Sequence, residues 1–137
     1  MARRTILIAE DDENVAQLLA FLLTREGFAV EVVADGRAAE EFAATHSPAA
    51  AVVLDINLPY RDGFEVATVM RGDPRWKDVP IVALTARTLP ADVERSRALG
   101  LLDYIAKPFH PGALAQRLRT LLRAQAAEAP PPAEGRA

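Results

Sequence analysis

Continuous apolar runs alternate with stretches in which apolar residues recur every three or four positions, and this alternation organises most of the chain. Thr5-Ile6-Leu7-Ile8-Ala9 is rich in β-branched residues, stops abruptly at Glu10-Asp11-Asp12, and predicts a strand. Ala50-Ala51-Val52-Val53-Leu54 and Ile81-Val82-Ala83-Leu84 are equally continuous, as expected for strands covered on both faces, so they belong at the centre of a parallel sheet. Ala29-Val30-Glu31-Val32-Val33 carries a glutamate in its middle and is placed at an edge. Leu101 to Ala106 supplies a further strand.

The intervening segments read as helices. Val15, Leu18, Leu19, Leu22 and Leu23 form one apolar stripe, ended by Gly27. Asp35-Gly36 turns the chain into a second helix with Ala39 and Phe42 inward, closed by Ser47-Pro48. Gly63 to Met70 is a third, with Phe64 and Val66 inward and Asp73-Pro74 as its stop. Pro90 to Leu99 is a weaker fourth, followed by Gly100. Leu114, Leu118, Leu121 and Leu122 line a fifth, which begins near Pro111, where a missing N–H costs nothing. Strict strand–helix alternation with long connections implies parallel strands and right-handed crossovers, hence an α/β fold. A chain of 137 residues is too short for an eightfold barrel, which leaves an open, doubly wound (βα)5 sandwich. The domain is expected over residues 4–125, with 126–137, which includes Pro130-Pro131-Pro132, as a disordered tail or linker.

Composition narrows the function. Half the residues are apolar and 26% charged, the balance of a folded domain. The absence of cysteine removes disulfides, zinc–thiolate sites and a thiol nucleophile, and makes the cytoplasm the expected compartment. Apolar runs of about seven residues or fewer fall far short of a membrane span, and Met1-Ala2-Arg3-Arg4 leads into too short a run for a signal peptide. A net charge of -3 argues against direct nucleic-acid binding. Only two of the sixteen basic residues are lysines, Lys77 and Lys107, which singles each out.

Ligands of open parallel sheets sit at the carboxyl ends of the strands, and the polar residues there are Glu10, Asp11 and Asp12 after the first strand, Asp55 after the third, Thr85 after the fourth and Lys107 after the fifth. If the second strand lies outside the first, in the order 2-1-3-4-5, these four ends are contiguous. Carboxylates of Glu10, Asp11 and Asp55 within ~4 Å would repel by roughly 4 kcal/mol per pair at an effective dielectric near 20, so a cation is required among them. Mg²⁺ suits the cluster, because it takes hard oxygen ligands from one or two carboxylates and a phosphate. With Lys107 and the Thr85 hydroxyl each able to meet one phosphoryl oxygen, Asp55 is positioned as a covalent acceptor of phosphate. Asp12 reads as the cap of the first helix. His46 and His110 have no companions at metal-ligand spacing, Arg117, Arg119 and Arg123 read as a solvated helix face, and Trp76 as a loop anchor.

The residues at this point resemble the receiver domain of two-component response regulators, the CheY-like, flavodoxin-like fold whose strand order is the one adopted above. The resemblance runs from about Thr5 to Arg123 and rests on Ile8-Ala9-Glu10-Asp11-Asp12, Leu54-Asp55-Ile56-Asn57-Leu58-Pro59 with Asp62-Gly63, Leu84-Thr85-Ala86, and Asp103-Tyr104-Ile105-Ala106-Lys107-Pro108-Phe109. It implies that Asp55 takes its phosphate from a histidine kinase or phosphotransfer protein. It further implies that Asp11 is a direct Mg²⁺ ligand, that Glu10 acts partly through water, and that the backbone carbonyl of Asn57 is a third protein ligand. Thr85, Tyr104 and Lys107 resemble the switch hydroxyl, the aromatic that follows it and the phosphate-pairing lysine. Lys107-Pro108 resembles a bond held in cis. Asn57 and Arg87 occupy positions that tune phosphoryl lifetime. Gly100-Leu101-Leu102-Asp103 departs from the family, which often has Ala-Asp in place of the leucines.

The function expected is a phosphorylation-controlled switch, not a conventional enzyme, in which the face of the fourth helix, fifth strand and fifth helix changes its affinity for an output protein or a missing output domain. The chain reads as a stand-alone regulator or as a piece severed before its output, a monomer or weak homodimer. Two alternatives are a phosphatase of the haloacid-dehalogenase type with Asp55 as nucleophile, which lacks its expected second acid because Asn57 stands there, and a receiver-like docking module that accepts no phosphate.

Overall fold

The computed structural model describes residues 4–86 and 89–128, with side chains through 123. Strands β1 (Thr5–Ala9), β2 (Ala29–Val33), β3 (Ala51–Asp55), β4 (Ile81–Thr85) and β5 (Asp103–Ala106) alternate with helices α1 (Glu13–Arg25), α2 (Gly36–Thr45), α3 (Gly63–Gly72), α4 (Pro90–Ala98) and α5 (Pro111–Glu128). The strands form one sheet in the order β2-β1-β3-β4-β5, and every pairing is parallel. This is the doubly wound (βα)5 sandwich in the expected order.

The continuous apolar runs are explained by burial on both faces, since successive side chains of a strand point to opposite sides. Ile6, Ile8, Ala51, Val53, Val82 and Leu84 meet Leu19 and Leu23 of α1 and Leu114, Leu118 and Leu122 of α5. Leu7, Ala9, Val52, Leu54 and Ile81 meet Ala39 and Ala43 of α2 and Val66, Ala67 and Met70 of α3. β2 is the edge strand and Glu31 is exposed, in accord with the charge in its sequence.

Local signals place the helix ends. Asp12 accepts from the backbone N–H groups of Asn14 and Val15, and Asp62 and Glu65 close a reciprocal capping box at the start of α3. Gly27, just past α1, has φ 99°, a conformation that favours glycine.

Three details differ from the sequence reading. Leu18 is 45% exposed while Ala16 is buried, because only the line through Ala16, Leu19 and Leu23 faces the sheet and Leu18 lies at the margin of the stripe. β5 begins at Asp103 rather than Leu101, since Leu101 and Leu99 pack against the core before the strand starts. α5 continues to Glu128, through the first residues assigned to the tail, and the rest of that segment, 129–137, lies outside the described residues, as does Arg87. Trp76, in the turn segment after α3, is fully buried in the core and edge-on to Phe42 at 6.3 Å, so it anchors that loop as the sequence suggested.

Candidate functional site

Parallel pairing brings the carboxyl ends of β1, β3, β4 and β5 to one edge of the sheet, and the registers align them. Ala9 pairs with Leu54, Asp55 with Leu84, and Thr85 with Ala106, so Glu10, Asp55, Thr85 and Lys107 follow one another across adjacent strands. Glu10, Asp55 and Thr85 are all buried, with exposures of 1%, 3% and 0%. Such burial of charged groups is costly without partners.

Lys107 is the partner. Its Nζ donates to Glu10 Oε1 at 2.8 Å and to Asp55 Oδ2 at 3.0 Å. The remaining carboxylate oxygens take backbone donors: the Asp12 N–H donates to Glu10 Oε2, and the Asn57 N–H to Asp55 Oδ1, each at 3.0 Å. The Lys107 N–H also donates to the Thr85 carbonyl at 2.7 Å, which fixes the lysine's backbone to the end of β4. Lys107-Pro108 is cis.

Asp11 completes the acidic cluster from an exposed position. Carboxylate oxygens of Glu10, Asp11 and Asp55 lie within 4.8 Å of one another, a separation at which two unit charges repel by about 3 kcal/mol at an effective dielectric of about 20. Three acids against one ammonium leave the site short of positive charge. Burial, the largest influence, pushes the Glu10 carboxyl above its ordinary range, and the neighbouring Asp55 adds to the rise against the pull of Lys107. At Lys107 burial acts to lower the ammonium, but the hydrogen bonds and charges of Glu10 and Asp55 outweigh it and hold the group above its ordinary value. The lysine is therefore a fixed cation, and the unmet demand falls on the carboxylates. An all-oxygen set with excess negative charge fits a hard divalent ion such as Mg²⁺.

The structure thus gathers Glu10, Asp11, Asp55 and Lys107 into one cluster and sets Thr85 at the adjoining strand end. Tyr104 sits lower on β5, paired with Ala83 and packed against the cluster of Ile56, Phe64 and Ala83. Asn57 contributes its backbone beside Asp55. Sequence reasoning missed the glycine contacts that shape this edge. A Cβ at Gly63 would stand 2.6 Å from the Asp55 carbonyl oxygen, so only glycine lets α3 start so close to the acceptor strand. The Asp62-Gly63 pair was the available signal. Arg117 pairs with Asp103 at 2.6 Å and Arg119 with Glu26 at 2.7 Å, so two of the three arginines read as a solvated face hold specific partners.

A parallel α/β sheet carrying an acid cluster, a lysine and a buried hydroxyl at its carboxyl edge defines a class of metal- and phosphate-handling domains. Known proteins narrow it further. A family profile described as "Response regulator receiver domain" matches residues 6–119. The transcriptional regulatory protein TctD of Salmonella typhimurium is 42% identical over 123 residues, covering 90% of this chain and 54% of that protein. Among solved structures, the chemotaxis response regulator CheY4 of Vibrio cholerae superposes with a TM-score of 0.80 at 29% identity, covering 88% of this chain and 99% of that one. The receiver domain of a sensor histidine kinase from Pseudomonas aeruginosa PAO1, solved with a magnesium ion coordinated in its active-site cleft, gives a TM-score of 0.78 at 33% identity, covering 89% and 99%. The chain belongs to the response regulator receiver domain family of two-component signalling proteins. It spans about half the length of the curated relatives it matches. Among the described residues no helix is long and apolar enough to cross a membrane.

Proposed function

We propose that residues 4–125 form a receiver that accepts a phosphoryl group on Asp55 in a Mg²⁺-dependent reaction and passes the change to a surface remote from the site. The observation that carries this reading is the joint hold of Lys107 on Asp55 and Glu10 within an acid cluster that one lysine cannot neutralise. Family membership favours it over the phosphatase alternative.

Asp11, Asp55 and the Asn57 carbonyl would hold the ion, with Glu10 reaching it through water. Bound Mg²⁺ supplies positive charge shared between the carboxylates and a phosphoryl oxygen. Asp55 Oδ1 is oriented by the Asn57 N–H and Oδ2 by Lys107, so the carboxylate is presented in one rotamer. An oxygen of Asp55 attacks the phosphorus of a phosphohistidine. The new P–O bond forms as the P–N bond breaks, the electron pair leaves with the imidazole nitrogen, and an acyl phosphate results. Lys107 exchanges its bond to Asp55 for one to a phosphoryl oxygen, and the Thr85 hydroxyl donates to another.

The donor is a sensor histidine kinase or phosphotransfer protein, and the site of action is the cytoplasm. Movement of Thr85 is passed to Tyr104 and to the face of α4, β5 and α5, which engages an output protein or output domain. Incubation with Mg²⁺ and a small acyl phosphate should add one phosphoryl group, about 80 Da by intact mass. The adduct should be absent without Mg²⁺ and absent in Asp55→Ala. An adduct that persists in Asp55→Ala contradicts the reading.

A further inference from the structure

Asp55 leads into a loop, residues 56–62, whose inner end is tied by backbone bonds to β4 and to the start of α3: the Ile56 N–H donates to the Leu84 carbonyl at 2.9 Å and the Gly63 N–H to the Ile56 carbonyl at 2.8 Å. The outer end is held by a different element, the first turns of α2. The Gly36 N–H donates to the Pro59 carbonyl at 3.1 Å, which also accepts from the Arg61 N–H at 2.8 Å. Arg61 Nε donates to Glu40 Oε2 at 2.9 Å, and its other arm reaches Glu65 Oε2 at 3.1 Å. The Arg37 guanidinium lies 4.5 Å over the ring of Tyr60, a residue with φ 69°.

Gly36 is the tightest point of this contact. A Cβ there would overlap the Arg61 carbonyl oxygen and stand 2.6 Å from its carbonyl carbon. Both atoms are backbone, so no side-chain rotation relieves the clash. Glycine in the first turn of α2 is the poorest helix former short of proline, and no positive φ requires it, so its role here is close approach. Helix α2 otherwise packs its Ala39 and Ala43 on the core and has no part in the site.

Metal affinity depends on how well ligands are held before the ion arrives, and partners that orient ligands matter nearly as much as the ligands. We propose that the N-terminal half of α2, through Gly36 and the Glu40–Arg61 pair, is a positioning element that holds the 56–62 loop against Asp55 and thereby sets the Mg²⁺ affinity of the site. The inference rests on the Mg²⁺ reading above and extends it to residues that touch neither ion nor phosphate.

The test is a MgCl₂ titration of the full chain followed by the amide resonances of Asp11 and Asn57. Gly36→Ala should weaken Mg²⁺ binding about tenfold. Arg61→Met, which removes a half-exposed ion pair and keeps the aliphatic stem, should weaken it about three- to fivefold. Leu122→Ala, a core truncation on the opposite face of the sheet, should lower thermal stability yet leave the Mg²⁺ dissociation constant unchanged, which separates positioning from general destabilisation. If Gly36→Ala fails to fold, Arg61→Met decides. A folded Arg61→Met that binds Mg²⁺ as the parent does overturns the proposal. A parent protein that shows no saturable Mg²⁺ binding overturns the metal reading itself and the proposal with it.

Discussion

Glu10 stands under opposed demands. It is buried beneath Asp55 and Asp11, and Lys107 offsets only part of the charge around it. Because the folded protein raises its pKa, the fold holds the Glu10 proton more tightly than the unfolded chain does. Its contribution to stability is complete below the unfolded pKa of about 4.5 and is lost as pH rises through the higher folded value. Lys107, also raised, keeps its contribution up to about 10.5 and loses it only above. Glu10→Gln removes the first of these losses. In metal-free buffer, urea unfolding should therefore show the stability of Glu10→Gln rising relative to the parent between about pH 4 and about pH 7. The slope carries the test, because the absolute offset also contains the bond from the Asp12 N–H that an amide replaces poorly. A flat difference across that range would mean that Glu10 is not strained by its neighbours.

Among the helices, α1 and α4 stand at opposite ends of a range of attachment. α1 has a doubly bonded Asp12 cap and buries Ala16, Leu19 and Leu23. α4 starts at Pro90 after Leu89, which supplies no side-chain cap, and buries a single residue, Ser96, whose hydroxyl has no hydrogen-bond partner. A buried hydroxyl without a partner costs stability and its removal is nearly free. Ser96→Ala should be neutral or stabilise the fold by up to about 1 kcal/mol, while Leu23→Ala should cost about 2–5 kcal/mol, both read from chemical denaturation. The amides of α4 should exchange with solvent faster than those of α1, as the proposed switch through the face of α4, β5 and α5 requires. Equal protection of the two helices would argue against α4 as the mobile part. The contrast was half legible beforehand. The pattern from Pro90 to Leu99 was the weakest of the five, but periodicity could not say that a serine would face inward. For α1 the stripe located the helix and misplaced its centre by one residue position, since Leu18 and Ala16 flank the same face and only packing chooses between them.

The whole molecule was legible to the extent that one rule governs it. A parallel sheet sends the carboxyl ends of all its strands to one edge, so acids after the first and third runs, a threonine after the fourth and a lysine after the fifth had to approach one another once the strand order was right. That order came from resemblance; the apolar runs alone did not contain it. Contacts between distant segments with no periodicity stayed hidden. Nothing in the local sequence announces that Gly36 lies under the Arg61 backbone, and the Asp62-Gly63 pair hints at a turn without showing that Gly63 lies against the Asp55 carbonyl, because a missing side chain leaves no pattern. In the proposed reaction one carboxylate among these acids becomes an acyl phosphate. Treating the phosphorylated chain with borohydride reduces such a group to homoserine, and peptide mass mapping then locates it. Homoserine is expected at position 55 alone, appearing only when Mg²⁺ and the phosphodonor are both present; homoserine at Asp11 or Asp12, or none at all under those conditions, would contradict phosphorylation of Asp55.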